Sequence, residues 1–145
     1  MAISQAICNS FKKELLEGEH NFGVGDDKFK LALYTAGATL TSATTSYTTS
    51  NEVSPSGQYT AGGGALVNLG TSITAGVARV DFNNLSFTGV TLTARGALIY
   101  NTSAAVANAA VAVLDFGGDK TATSGTFTIQ FPAPTSTAAI LRISG

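Results

Sequence analysis

The sequence predicts a mainly β protein, an antiparallel β-sandwich of the immunoglobulin-like or jelly-roll-like kind, with one amphipathic helix near the N-terminus. Short runs rich in Val, Ile, Thr, Phe and Tyr recur along most of the chain, and clusters of Gly, Asn, Asp, Ser and Pro separate them. This spacing is typical of sandwiches rather than of βαβ units. A length of 145 residues is enough for one domain, which we predict to span residues 1–145.

The predicted helix occupies residues 1–18. Four apolar residues recur at every fourth position and form one stripe along it: Ile3, Ile7, Phe11 and Leu15. Gly18 stands where a residue of left-handed conformation closes a helix. The stripe is a candidate protein interface.

The predicted sandwich occupies residues 29–145. Its candidate strands are residues 29–34, 65–69, 77–82, 85–87, 92–100, 110–116, 126–131 and 139–143. Two groups of turn residues, at 115–119 and 124–125, separate apolar runs near the C-terminus. They predict an antiparallel hairpin over residues 111–131.

Residues 36–64 differ from the rest because they consist mostly of Thr, Ser, Gly and Ala with few large apolar residues. Loops longer than about 12–15 residues are uncommon in compact domains unless they bind something, so we predict a functional loop or arm here. A solvated linker with a short helix is the alternative. Tyr47, Val53 and Tyr59 are its candidate interface residues, because tyrosine buries a large area while losing few torsions. Alternatively, both tyrosines cover the protein's own core.

Composition narrows the classes of function. Eight Lys and Arg against nine Asp and Glu give a formal net charge of -1, which argues against a strongly basic nucleic-acid-binding protein. No window approaches 18 uninterrupted apolar residues, so we expect no membrane span. The single cysteine, Cys8, forbids an intramolecular disulfide, and the N-terminus lacks the basic region of a signal peptide. We therefore expect synthesis and assembly in a cytosol.

Signatures of catalysis and of metal or cofactor binding are missing from the sequence, so we expect no enzyme, no cofactor and no metal. A single histidine, His20, excludes a His-pair metal site, and its place after the helix predicts a solvated ring or one near the negative helix end. Cys8 is expected to pack the helix. Glycines 62–64 lack the Lys-Ser/Thr of a phosphate-binding loop. The acidic pairs at 26–27 and at 115 and 119 lack EF-hand spacing, so turn capping is expected over a calcium site.

Several segments taken together resemble a family of small structural proteins of tailed bacteriophages. The matching segments span nearly the whole chain in order: ICNSFKKELLEG (7–18) with His20 and Phe22, FKLALYT (29–35), YTTSNEV (47–53) with Gly57, Tyr59 and residues 61–63, ARGALIYN (94–101), VAVLDFG (111–117), and GTFTI (125–129) with Phe131 and Pro132.

The resemblance implies a virion component, in first place a decoration or cement protein on the outer surface of the head. Such a protein is assembled in the host cytoplasm, binds the major capsid protein and bridges neighbouring capsomers. A homodimer or homotrimer that follows the capsid symmetry is expected. Two other roles stay open: a tail, neck or fibre-base component of the same particle, and an adhesion module that binds the host surface. The resemblance implies no catalytic residue.

Overall fold

A computed structural model describes residues 2–133, 135 and 138–144. The fold is mainly β, with two antiparallel sheets and one short helix, which confirms the predicted β-sandwich class. The elements are β1 (Ala6–Ile7), α1 (Asn9–Leu16), β2 (Phe29–Tyr34), β3 (Gly64–Ala65), β4 (Asn68–Thr74), β5 (Val77–Phe82), β6 (Leu85–Asn101), β7 (Ala109–Ile129) and β8 (Leu141–Ile143). A five-stranded sheet has the order β1-β7-β6-β2-β3, and a three-stranded sheet, which we call the small sheet, has the order β4-β5-β8.

The predicted strands at 29–34 and 77–82 are confirmed as β2 and β5. Two strands are longer than predicted, because residues 85–87 and 92–100 belong to one strand, β6, and most of 110–116 and 126–131 belongs to β7. The predicted strand at 139–143 is shorter, since β8 covers only Leu141–Ile143. The predicted strand at 65–69 is divided between β3 and the start of β4.

The predicted hairpin over residues 111–131 is wrong, because β7 runs through both groups of turn residues while β6 pairs with it on either side. Gly96 pairs with Asp115 and Ala94 with Lys120, so residues 116–119 stand opposite Arg95 alone. Gly117 takes a positive φ of 78° there, and Arg95 Nε donates to Asp119 Oδ1 at 3.1 Å. The turn residues therefore form a β-bulge rather than a chain reversal.

The helix is shorter than predicted: α1 begins at Asn9, and residues 2–8 are not helical. Met1 lies outside the described residues. Ala6 and Ile7 pair with Val113 and Ala112 on β7, and Ile3 forms a bridge with Leu40. A spacing of four residues keeps side chains on one face of a strand as well as of a helix, so the apolar stripe alone does not distinguish the two.

The end of the helix is as predicted. Gly18 has a φ of 78°, its N–H donates to the Leu15 carbonyl at 3.2 Å, and the Glu19 N–H donates to the Glu14 carbonyl at 2.9 Å. This pair of hydrogen bonds is the Schellman motif, which satisfies the last carbonyls of the helix.

The core contains an aromatic cluster that joins the two sheets. Phe22 stacks on Phe29 with ring centroids 4.5 Å apart, and Phe82 of the small sheet meets both rings edge-on. Phe11 of α1 contacts Phe22 at 5.9 Å. Each fully buried ring of this kind stabilises the fold by about 1.5–3 kcal/mol. This cluster places α1 beside the small sheet.

Candidate protein-interaction site

The long segment 36–64 lies back on the five-stranded sheet. Tyr59 is fully buried, Val53 is 5% exposed and Leu40 is 1% exposed. Tyr47 is partly buried and stacks on Tyr100 with ring centroids 4.8 Å apart. This is the burial expected if the two tyrosines cover the protein's own core. A role of Tyr47, Val53 and Tyr59 in contacting a partner stays a prediction.

Glu52 holds this segment in place; with Tyr47, Tyr59, Gly62 and Tyr100 it forms what we call the Glu52 cluster. Its carboxylate accepts hydrogen bonds from the Tyr47 hydroxyl at 2.5 Å, the Tyr59 hydroxyl at 2.8 Å and the Gly62 N–H at 2.7 Å. The Tyr100 hydroxyl donates to the Gly62 carbonyl at 2.6 Å. Burial, together with the nearby carboxylate, raises the pKa of Tyr47 and Tyr59 and raises that of Tyr100 to about 12. The hydroxyls therefore stay neutral donors at physiological pH.

His20 is buried, so the expectation of a solvated ring is wrong. Its Nδ1 accepts a hydrogen bond from Asn101 Nδ2 at 3.0 Å, and its Nε2 lies 2.9 Å from Glu14 Oε1. The amide nitrogen only donates, so we assign the ring proton to Nε2, which donates to Glu14. Both ring nitrogens are satisfied, which allows the ring to pack against Phe11 at 4.8 Å. This network connects α1 to the end of β6.

Of the four acidic residues considered as calcium ligands, Asp27, Asp115 and Asp119 have other partners. Asp27 Oδ2 accepts from the Asn21 N–H at 2.9 Å and from Asn101 Nδ2 at 2.8 Å. Asp115 Oδ1 accepts from the Gly117 N–H at 2.9 Å. Within residues 2–133, 135 and 138–144, no three His, Cys, Asp or Glu side chains come together as a potential metal site.

The single cysteine lies next to α1. Cys8, which precedes it, is buried, and this burial raises the pKa of its thiol to about 11, so the thiol stays protonated at neutral pH.

The described part of the chain contains no helix that is both long and apolar enough to cross a membrane.

Between α1 and the small sheet lies an open cleft of about 670 Å³, which we call the apolar cleft. Phe11, Leu15 and Leu16 form its helical side. The strands of the small sheet form the other side, and Ile7 and the segment after the helix complete it. Its remaining lining residues are Lys12, His20, Asn21, Phe22, Gly23, Thr71, Ala78, Arg79, Val80, Leu141, Arg142 and Ile143.

The face of the small sheet that enters the core continues outward as exposed apolar surface. Ala78 pairs with Ile73 on one side and with Ile143 on the other, so these three side chains form a row across the sheet. The neighbouring row on the same face contains Val80 and Leu141, which are buried. Ile73 is 74% exposed and Ile143 60% exposed. A core-forming face is thus left partly uncovered.

Among the described residues, the most exposed large apolar side chain lies on the helical side of the cleft. Leu16 is 90% exposed, although its neighbour Leu15 packs against the core. Large apolar side chains grouped on a surface mark interaction sites more often than scattered ones do. Leu16, Ile73 and Ile143 therefore form an apolar rim around the cleft.

The structure brings together three of the seven predicted interface residues. Ile7, Phe11 and Leu15 line the apolar cleft. Ile3 lies away from it, in contact distance of Gly96, where an added Cβ would meet the Ile3 side chain at 2.8 Å. Sequence reasoning missed the rim, although the isolated Ile73 in a Thr- and Ser-rich stretch before the Ala75-Gly76 turn was an available signal.

Comparisons of the chain with protein-family models, with curated proteins and with solved structures find no match.

Proposed function

We propose that this protein is a structural protein of a bacteriophage virion. In this proposal it is a decoration or cement protein that binds the major capsid protein on the outer surface of the head and bridges capsomers. The observation that carries the proposal is the apolar cleft with its exposed rim, because this surface suits lasting contact with another protein. The sequence resemblance to small phage structural proteins supports the same role.

The chemistry of the surface supports attachment through apolar burial and backbone hydrogen bonds. Charged residues are 12% of the chain, about half of the usual share. The ion pairs Lys13–Glu17 and Arg95–Asp119 both lie on the exposed surface. Contacts of about 800 Å² per partner are typical of stable association, and repetition over a shell adds avidity to a modest single-site affinity.

The experiment that tests this function uses purified protein and expanded phage heads that lack it. Mixed samples are pelleted, and the bound copies per head are counted by quantitative gel densitometry. We expect near-stoichiometric binding that weakens little between low and moderate salt, since few charges take part. A steep loss of binding over this range would contradict the apolar mechanism.

Imaging of the native particle separates the remaining roles. Density for this fold on the outer capsid surface would support decoration. A few copies per particle at the tail, neck or fibre base would support the second structural role instead. Binding to host cells but not to heads would favour the adhesion module.

A further inference from the structure

We propose that the apolar cleft is the docking site for an acidic, apolar segment of the partner protein, with one bulky aliphatic or aromatic side chain inserted between α1 and the small sheet. This inference rests on the proposed function, because it names the chemistry of the capsid segment that the same site would bind. The cleft volume of about 670 Å³ accommodates a large side chain together with its neighbours.

The distribution of exposed apolar surface points to a macromolecular partner. A small molecule held inside the cleft would leave its rim in water, because Leu16 and Ile73 have 90% and 74% of their surface exposed. A polypeptide that crosses the mouth covers the rim while its side chain fills the cleft. Hot spots of protein interfaces have this arrangement, an anchor in a pocket surrounded by contacts that exclude water.

The charged residues that line the cleft are all cations. None of the described residues that line it is Asp or Glu, whereas Lys12, Arg79 and Arg142 all border it. Among the described residues, neither Lys12 nor Arg79 forms an ion pair, and the Arg79 guanidinium donates to the neutral Thr74 hydroxyl. The nearest carboxylates, Glu14 and Asp27, lie behind the lining, where they are hydrogen-bonded to His20 and Asn21.

The cations differ in how directly they act on an occupant. Lys12 stands on the exposed surface of α1, next to the cleft. Arg79 and Arg142 are cross-strand partners, and strand alternation directs them to the other face of the small sheet. Lys12 is therefore the cation that acts most directly on an occupant of the cleft. Acidic residues beside the anchor therefore complement this site, and they contribute to partner choice and association rate more than to affinity.

Substitutions on the rim test the docking site without disturbing the core. Leu16→Ser and Ile143→Ser alter side chains that line opposite sides of the cleft and are mostly exposed, so both variants keep the fold, which circular dichroism and Tm verify. Val106→Ser is the matched control, because Val106 is 46% exposed and does not line the cleft. We expect each rim variant to bind phage heads about tenfold more weakly or worse, and the control to bind normally.

A pair of lysines tests the charge. Lys12→Gln removes the cation beside the cleft, whereas Lys13→Gln removes one that pairs with Glu17 at 2.7 Å and does not line the cleft. We expect the first variant to associate with heads about two- to fivefold more slowly, mainly at low salt, and the second to behave like the parent protein. Equal effects of the two changes would contradict the charge complementarity.

A photo-crosslinker identifies the occupant. Benzophenone-alanine at position 16 is irradiated on purified heads, and the same residue at position 13 serves as the control. We expect capture at position 16 of a capsid segment that contains Asp or Glu beside a large apolar residue. Capture of a basic or wholly polar segment, or co-purification of an acyl chain in native mass spectrometry, would overturn the proposal.

Failure of this inference is distinguishable from failure of the proposed function. If the unaltered protein does not bind heads, the decoration role falls. If it binds and the rim variants bind equally well, the decoration role stands and the apolar cleft is not the docking site.

Discussion

Glu52→Ala should destabilise the protein more than any other single change of an acidic side chain. The Glu52 carboxylate accepts three hydrogen bonds, from two tyrosine hydroxyls and from the Gly62 N–H, and these bonds hold residues 36–64 on the large sheet. The Tyr59 hydroxyl is fully buried and also accepts from the Leu33 N–H at 2.8 Å, so it keeps one partner. Tyr47 and Gly62 lose the bonds to the carboxylate outright.

The magnitude follows from these contacts. A hydrogen bond to a charged group contributes about 1.5–3 kcal/mol, and a buried donor left without an acceptor costs a similar amount. Since the cluster is only partly buried, water replaces part of the loss, and we expect a decrease in the free energy of unfolding of about 3–4 kcal/mol. Glu52→Gln keeps one acceptor oxygen and should cost about half as much. The loss is large, because the free energy of unfolding of a typical domain is only about 5–15 kcal/mol.

Urea unfolding followed by tyrosine fluorescence measures this effect, because the chain contains four tyrosines and no tryptophan. Glu17→Ala is the matched control: its carboxylate forms an exposed pair with Lys13 at 2.7 Å, and its loss should cost about 0.5 kcal/mol or less. If Glu52→Ala lowers the free energy of unfolding by less than about 1 kcal/mol, or no more than the control does, the Glu52 cluster does not hold the segment.

Three further predictions concern stability and reactivity. The raised tyrosine pKa values mean that the folded state holds the hydroxyl protons more tightly than the unfolded chain does. Their stabilising effect is therefore complete below about pH 10 and is lost as the pH rises toward the pKa of about 12 for Tyr100. The fraction unfolded at a fixed urea concentration should increase over this alkaline range, and a flat profile would contradict the prediction. Gly63→Ala should lower Tm by about 10 °C or more, since Gly63 has a φ of 83° and an added Cβ would lie 1.8 Å from the Leu31 carbonyl oxygen. Gly18→Ala is the control, because Gly18 also has a positive φ but open space around it, and it should lower Tm less. Cys8, with its pKa raised to about 11 by burial, should react with a thiol reagent at pH 8 only at the rate of unfolding, and rapid labelling of the native protein would refute this.

The sequence alone was sufficient to predict those elements that are bounded by clear turn or capping residues. β2 and β5 are compact apolar runs between turn residues, and both were predicted with correct boundaries. The helix end was predictable because Gly18 alone supplies the left-handed residue that the Schellman motif needs. The start of α1 was not predictable, because pairing of Ala6 and Ile7 with β7 depends on residues more than a hundred positions away.

The candidate site was only partly visible in the sequence for a related reason. The residues Ile7, Phe11 and Leu15 were found through their spacing, but which partner their face meets is decided by the small sheet. Likewise, the Asp-Phe-Gly-Gly-Asp segment has turn chemistry, and only its pairing with β6 turns it into a bulge. Glu52 gave no signal, because one acidic residue in a polar segment becomes informative only when the tyrosines around it are seen in space.

The apolar cleft is built from segments far apart in the sequence: α1 at residues 9–16 on one side, and on the other the small sheet, in which β8 at residues 141–143 pairs with β5. During translation β8 is made long after α1 and after the two strands it completes. A nascent or prematurely terminated chain that stops before residue 141 therefore has no complete cleft. If a partner binds through this cleft, unfinished copies would be poor competitors for it, and binding would select molecules in which α1 and β8 are both folded without any dedicated checkpoint.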